Sequence, residues 1–329
     1  MPRTIECSII RNFKKIVFSI VIPYYKKRKY IERCIDSVLE QTFSDYEIIL
    51  IDDGSQDDIE ELINGKYAGK VTLITQNNQG VSVARNTGIA NAKYDYIAFL
   101  DADDYWSPFY LEKNKNVLYR EKDVAIVGAK YSIDVDLVEK YDVALKYTQL
   151  KKYFKKAICE TIFFTSATIV RKSFFHDNEG FNTELSLGED LDVWFRVIAV
   201  GGNVFFIKNT LVYYSNDDLL SITKSSVPFT KSLNSKLQEI YYPLFSKFNN
   251  VAFEEFVAKQ IYSTLSIRYF TEDTHDVSKK MIRTNKKKYF FAELYFAIPY
   301  SIGSRYSAKT FWRKYTRKYF KFIFTYIYI

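Results

Sequence analysis

The stretch Tyr96-Ile97-Ala98-Phe99-Leu100-Asp101-Ala102-Asp103-Asp104 decides how this chain is read. Tyr96–Leu100 is apolar and of strand length, and an acidic loop follows it at once. Side chains alternate along an extended segment, so Asp101 and Asp103 can point the same way. Two carboxylates side by side repel unless a cation lies between them. Mg²⁺ or Mn²⁺ held in this manner can also hold a diphosphate. Alone, the D-x-D spacing is a weak signal, because a surface acidic turn has the same composition. Its place at the end of an apolar strand gives it weight.

Outward from that strand the same unit repeats. Ile16–Ile22, Glu47–Ile51, Val71–Thr75 and Val124–Val127 read as further strands. Lys29–Gln41, Asp57–Ile63 and Val81–Ala92 read as helices between them; the first places Ile31, Ile35, Val38 and Leu39 at helical spacing. Strand and helix in alternation with short connections predict an α/β fold, a mostly parallel central sheet flanked by helices. In such sheets the ligand sits beyond the carboxyl ends of the strands. Pro23-Tyr24-Tyr25, Asp52-Asp53-Gly54-Ser55 and Asp101-Ala102-Asp103-Asp104 should therefore share one edge. Farther on, Thr165–Arg171, Val204–Ile207 and Leu211–Tyr214 read as strands, and Leu191–Val200 as a helix stopped by Gly201-Gly202. After about Asn216 the pattern turns helical. The expected division is an α/β domain over 1–225 and a helical C-terminal region over 226–329.

Composition bounds the class. The chain has 329 residues, 47% of them apolar and 26% charged, as a folded core requires. Tyr (28) and Phe (27) are abundant, which suits sugar stacking or a membrane boundary; a coding bias toward A/T would raise the same residues. Cys7, Cys34 and Cys159 are far apart and form no C-x-x-C pair, so a reducing compartment fits better than a disulfide framework. The apolar run at Ile16–Ile22 is short and ends at Pro23, and no window is long and apolar enough to span a bilayer. Neither a leader nor a spanning helix is expected. Residues 277–329 hold 13 Lys or Arg against Glu293 alone, a net +12, so the remainder of a chain of +8 carries −4. The two ends have different partners.

Three more clusters carry chemistry. In Ile51-Asp52-Asp53-Gly54-Ser55, a carboxylate can accept the imide N–H of uracil or a ribose hydroxyl, and Gly54 suits a tight turn; Ser55 or Asp57 could equally cap the next helix. In Asn78-Gln79-Gly80-Val81-Ser82-Val83-Ala84-Arg85-Asn86, Arg85 can pair with an aspartate or a phosphate. In Gly188-Glu189-Asp190-Leu191-Asp192-Val193-Trp194, acids sit where a helix dipole favours them. Asp190 or Glu189 could also take the proton from an acceptor hydroxyl. Trp194, one turn on, and Trp106, just past the acidic loop, are read as acceptor-side residues.

These clusters, with Ser19-Ile20-Val21-Ile22-Pro23-Tyr24-Tyr25 ahead of them, resemble in order and spacing the family 2 glycosyltransferases of the GT-A fold. The resemblance covers roughly residues 17–215. It implies an inverting, single-displacement transfer from a nucleotide-diphosphate sugar, most simply a UDP-sugar, with Mn²⁺ or Mg²⁺ as cofactor. Pro23 and Tyr25 would line the nucleoside pocket, and Asp53, with Asp52 beside it, would contact the base. Arg85 would lie near the uridine and the first carboxylate of the metal motif. Asp101 would bind ribose or sugar and share the metal with Asp103, the direct ligand. Asp190 would be the base and Glu189 its neighbour. Many relatives carry a histidine shortly after the last strand; Tyr213-Tyr214-Ser215-Asn216-Asp217-Asp218 has none, and Asn216, Asp218 or water would stand in.

The basic tail reads as an amphipathic helix over Phe311–Tyr326. At about 100° per residue, Trp312, Tyr315, Tyr319, Phe322 and Tyr326 gather opposite Arg313, Lys314, Arg317, Lys318 and Lys321. Residues 305–329 are thus expected on an anionic membrane surface, with docking on the protein's own domain as the alternative. No motif for nucleic acid accompanies the charge. The acceptor would be a glycan or lipid-linked glycan of a bacterial surface polysaccharide, and the site of action the cytoplasmic face of the cell membrane. Two other readings use the same fold: a sugar nucleotidyltransferase, which would want a Gly-rich phosphate loop that Pro23-Tyr24-Tyr25-Lys26-Lys27-Arg28 lacks, and an inactive membrane scaffold.

Overall fold

Nine strands and fourteen helices follow one another through residues 15–158, 160–216, 227–266, 268–307 and 309–328, which the computed structural model describes. The strands are β1 (Phe18–Tyr24), β2 (Tyr46–Asp52), β3 (Val71–Thr75), β4 (Tyr96–Phe99), β5 (Tyr105–Trp106), β6 (Val124–Ser132), β7 (Tyr147–Gln149), β8 (Thr168–Arg171) and β9 (Asn203–Tyr213). The helices of the first part are α1 (Arg28–Leu39), α2 (Ile59–Gly65), α3 (Val81–Asn91), α4 (Tyr110–Arg120), α5 (Tyr153–Ala157), α6 (Phe174–Asp177) and α7 (Glu189–Val200). Those of the second are α8 (Leu233–Tyr241), α9 (Phe245–Phe248), α10 (Val251–Leu265), α11 (His275–Arg283), α12 (Phe290–Phe296), α13 (Tyr300–Ser307) and α14 (Thr310–Phe322).

The sheet runs β3-β2-β1-β4-β8-β6-β9-β5, with β7 also on β9. Pairing is parallel across β3-β2-β1-β4 and between β6 and β9. It is antiparallel where β8 enters between β4 and β6, and where β5 and β7 join β9. The sheet is therefore mixed, not mostly parallel. Composition marks a strand as buried but not its direction, and β8 returns from the long excursion after β6. All seven residues of β1 are buried, the expected pattern for a strand covered on both faces. Tyr24 pairs with Asp52 and Val21 with Phe99, so the carboxyl ends of β1, β2 and β4 do share one edge.

The two strands expected near Val204–Ile207 and Leu211–Tyr214 are one. The polar Lys208-Asn209 between them does not break it, because the buried Asn209 side chain donates to Glu139 and accepts from the N–H of Lys146 at 2.7 Å. Pairing with β6 slips nearby instead, between Ala129 and Tyr131.

Each face of the sheet has its own apolar cluster. Ile20, Ile22 and Leu50 meet Ile31, Ile35 and Val38 of α1 on one face. Val21, Ile49 and Phe99 meet Ala84 of α3 and Val193 and Trp194 of α7 on the other. That second cluster continues into the C-terminal helices, where Phe256 of α10 packs edge-on to Phe195 with ring centroids 4.7 Å apart. The expected boundary at 225/226 falls in 217–226, outside the described residues. Much of the aromatic content is spent here. Phe253, Phe256, Tyr262, Phe270, Phe320 and Phe324 are all buried, a use of tyrosine and phenylalanine that neither sugar stacking nor a membrane requires.

The tail is a helix, but its faces differ from the helical-wheel reading. Thr316, Phe320, Ile323 and Phe324 face the bundle, with Trp312 and Tyr319 half-buried beside them. Trp312 donates its indole N–H to Tyr295 at 3.1 Å, and the Tyr319 hydroxyl donates to the carbonyl of Phe291. Phe311, Tyr315, Phe322 and Tyr326 point outward. The wheel assigned aromatics together because it had no partner to dock one set against.

Candidate active site

Three strand ends and two helix starts build the site. β4 ends at Phe99, and the Asp101-Ala102-Asp103-Asp104 loop follows. Asp104 turns inward: it is buried, accepting from the N–H of Ser215 at 2.8 Å and from the Ser166 hydroxyl. Burial and the charges of Asp101 and Asp103 push its carboxyl well above the usual range. Ser166 also accepts from the N–H of Asp101 at 3.0 Å. This network sets the loop, leaving Asp101 and Asp103 at its rim, 28% and 15% exposed.

Each rim carboxylate has a cation. Asp101 Oδ1 lies 2.7 Å from Arg85 Nη2, and Asp103 Oδ2 lies 2.8 Å from Lys27 Nζ. Arg85 is itself buried, on α3, with its guanidinium 5.1 Å from the ring centroid of Phe181. Its other terminal nitrogen, Nη1, reaches Glu189 Oε1 at 3.0 Å. One buried arginine thus ties the acidic loop at the end of β4 to the acid pair that opens α7.

Asp190 stands next to that bridge. Gly188, at φ +81°, turns the chain into α7, and a side chain there would meet Leu233 at 3.0 Å. Asp190 Oδ2 accepts from the Thr165 hydroxyl at 2.9 Å and Oδ1 from the N–H of Leu191 at 2.7 Å. Burial raises its pKa and the Glu189 carboxylate raises it further. The Arg85 guanidinium and the two hydrogen bonds pull it back, to about 6. Tyr153 also faces it, and burial raises that phenol far enough to keep it neutral. Were Asp190 to act as a general base it would do so only when ionised, and kcat/KM would then fall about tenfold per pH unit below pH 6 and level off above it. A pH–rate profile flat down to pH 5 would contradict this.

Other expected residues are placed as follows. Pro23 is buried near the end of β1, whereas Tyr25 is 40% exposed, with the Lys26 ammonium 5.1 Å from its ring centroid. Asp53 is turned inward: its carboxylate takes the N–H of Gln79, the side chain of Gln76 and the N–H of Gly80 at 2.8–2.9 Å, and so holds the loop ahead of α3. Gly54, at φ +76°, allows that loop to approach, since a Cβ there would lie 2.9 Å from the N–H nitrogen of Asn78. Asp52 is 5% exposed and accepts from the N–H of Ser55 at 2.9 Å, which holds the turn after β2. Ser55 does not cap α2; its hydroxyl accepts from the N–H of Lys26. The two tryptophans also need correction. Trp194 is fully buried against Phe99 and Phe181, and Trp106 is 2% exposed, stacked on Tyr110 and donating to the carbonyl of Ser166. Neither has a ring face to offer an acceptor.

Lys27, Thr165 and Ser166 belong to the site although the sequence did not single them out. Lys27 lay in a basic run that reads as surface, and Thr165-Ser166 reads as an ordinary strand start. Among the described residues no group of three or more His, Cys, Asp or Glu side chains converges as a metal site would. Asp218 lies outside the described residues.

A mixed sheet with helices on both faces, and carboxylates gathered at the strand ends, defines the nucleotide-sugar transferase class of fold. Residues 19–178 match the family model described as glycosyl transferase family 2. The structure superposes on Staphylococcus aureus TarS 1-349 in complex with UDP-GlcNAc with a TM-score of 0.62 at 17% identity, covering 95% of this chain and 91% of that one. Among sequences, it is 32% identical over 206 residues to an uncharacterized glycosyltransferase of Rickettsia felis, covering 60% of this chain and 33% of that protein. It is 29% identical over 185 residues to the chondroitin synthase of Escherichia coli, 56% of this chain and 26% of that protein. The chain thus spans about a third or less of the length of these two relatives. Its residues 19–178 thus carry the match to the family 2 glycosyltransferases, and the chain has the fold of TarS, the GT-A fold. The family match ends before Glu189 and Asp190, so their roles rest on geometry.

Proposed function

We propose that this chain transfers a hexose or N-acetylhexosamine, with inversion, from a UDP-sugar to a glycan or lipid-linked acceptor of a bacterial surface polysaccharide. The observation that carries this is the Arg85 bridge, which sets Asp101 and the Glu189-Asp190 pair at one sheet edge. TarS was crystallised with UDP-GlcNAc and with UDP, and chondroitin synthase is a sequence relative, which favours uridine among the nucleotides.

In the reaction, Asp190 accepts the proton of the acceptor hydroxyl while that oxygen bonds to the anomeric carbon. The bond from that carbon to the diphosphate breaks, and its electron pair leaves with the nucleotide. Thr165 and the N–H of Leu191 hold the Asp190 carboxylate in place. Tyr25 offers a ring for the nucleoside, and Asp53 fixes the loop beside it. Asp103 and Asp101 are the residues that would hold Mn²⁺ or Mg²⁺. Two hard oxygen donors suit these ions, which keep water and substrate phosphate in their remaining positions. When bound, the ion offsets charge on the departing diphosphate. Calorimetric titration of UDP with and without Mn²⁺ tests the donor site: metal-strengthened binding is expected, and failure of UDP to bind in either condition overturns the reading.

The C-terminal region is proposed to seat the protein on the inner face of the cell membrane. No helix among the described residues is long and apolar enough to cross a bilayer. Phe311, Tyr315, Phe322 and Tyr326 form an exposed stripe on α14 and its continuation, flanked by exposed Lys314, Lys318 and Lys321. Phe290 and Phe291 of α12 are also exposed, and Phe291 lies beside Tyr328. Aromatic rings suit the headgroup level, and each basic residue adds about 1 kcal/mol near anionic lipid. Changing the four stripe residues to serine should lower binding to phosphatidylserine-containing vesicles more than tenfold in flotation. Unchanged flotation would show that the tail serves the fold alone.

A further inference from the structure

We propose that Lys27 is a place-holding cation: it neutralises Asp103 while no metal is bound, yields that carboxylate to the metal, and then pairs with the donor's diphosphate. The proposal rests on the metal reading above and adds a coupling between metal and donor.

The backbone around Lys27 is fixed. β1 and β4 are parallel neighbours, so the loop after β1 lies beside the acidic loop. The N–H of Lys26 is held by Ser55 at 3.0 Å, and the Lys27 carbonyl accepts from the N–H groups of Tyr30 and Ile31 at the start of α1. From that anchored position the ammonium reaches Asp103 Oδ2 at 2.8 Å, with the two side chains 17% and 15% exposed. Asp103 is pinned separately, its carbonyl accepting from Arg33 Nη2 at 2.8 Å. The partner of the carboxylate can therefore change without moving the loop.

The charges decide which cation yields. Arg85 divides its charge between Asp101 and Glu189, and the Lys27 ammonium lies against Asp103, so a divalent ion that entered with both cations in place would face like charge within a few ångströms. Arg85 cannot leave: its side chain is 4% exposed and bonded at both ends. Lys27 is partly exposed, on a flexible four-carbon stem with a compact, rotatable ammonium. It is the cation that moves, and the anion arriving at the same place is the diphosphate. Lys27 thus opposes metal alone and favours metal with nucleotide, a coupling that works in both directions.

The test is a Mn²⁺ titration, with free ion followed by electron paramagnetic resonance, with and without UDP, on the full chain and on Lys27→Met and Lys27→Arg. Thermal unfolding reports that the variants are folded, and Lys27→Arg keeps the pairing should Lys27→Met not fold. Lys27→Met is expected to bind Mn²⁺ alone at least tenfold tighter, about 1.4 kcal/mol, and to lose at least fivefold of the tightening that UDP brings. Lys27→Arg should stay near the parent in both. A Lys27→Met protein matching a metal-binding parent in both titrations, or a Lys27→Arg protein behaving as the methionine variant is expected to, overturns this proposal alone. A parent that binds no Mn²⁺ with or without UDP overturns the metal reading and this proposal with it.

Discussion

Asp190→Asn should lower kcat by about 10²- to 10⁴-fold, the usual worth of a positioned general base, while UDP affinity stays within about twofold. Asparagine is close to aspartate in size: its carbonyl oxygen can still accept from the N–H of Leu191, and its amide group can donate to the Thr165 hydroxyl in place of the bond it loses. What it loses is the capacity to take a proton. The proposed donor site, the Asp101–Asp103 loop with the β1 and β2 turns, would not depend on that capacity. The acid limb of the pH–rate profile, expected near 6, should vanish from whatever activity remains. A parallel Glu189→Gln variant separates the pair. Glu189 is already bonded to Arg85 and its charge raises the pKa of Asp190, so its loss should keep an acid limb but move it below 6. Near-normal turnover in Asp190→Asn would refute the assignment.

Arg85→Met should be the most destabilising single change in the site. Arg85 is buried and joins Asp101 to Glu189, and methionine leaves both acids without their cation. Removing one member of a buried ionic group typically costs about 3–5 kcal/mol. Here Asp101 and Glu189 are 28% and 15% exposed and can draw on water, so about 2–4 kcal/mol is expected. Arg85→Lys should recover only part of this, because an ammonium cannot reproduce the guanidinium's two-ended span. A second readout distinguishes a site role from a structural one. Arg85 lowers the pKa of Asp190, so its loss should move the acid limb of kcat/KM upward from about 6. Unfolding that shifts by less than about 1 kcal/mol, with an unmoved limb, would mean that the bridge is incidental.

The parts legible in sequence are those governed by local pattern. Apolar runs ending in polar clusters placed β1, β2 and β4 and the edge they share, because a parallel sheet needs buried strands and aligned carboxyl ends. The D-x-D loop and the acids opening α7 were legible as residue types in suitable places. Direction and partner were not. Nothing in Thr168–Arg171 says that β8 runs against its neighbours. Trp194 reads as exposed one turn from Asp190, yet its helix position turns it into the core beneath Phe99. Asp52 and Asp53 look alike, and only the fold assigns one to a turn and the other to the loop ahead of α3. Lys27 becomes meaningful only when β1 and β4 are side by side. The tail shows the same limit: its charges and rings could be counted, but which rings face the bundle depends on Tyr295 and Phe291 lying against it.

The central claim is that the edge bearing Asp101, Asp103 and Asp190 is a nucleotide-sugar transfer site. The most direct test is release of nucleoside diphosphate from a panel of UDP-, GDP- and dTDP-sugars, with Mn²⁺ or EDTA present and a bacterial glycan extract as acceptor. The account predicts metal-dependent release of UDP from at least one UDP-sugar, absent in Asp190→Asn. Folded protein that releases no nucleoside diphosphate from any donor, with either additive, would contradict it.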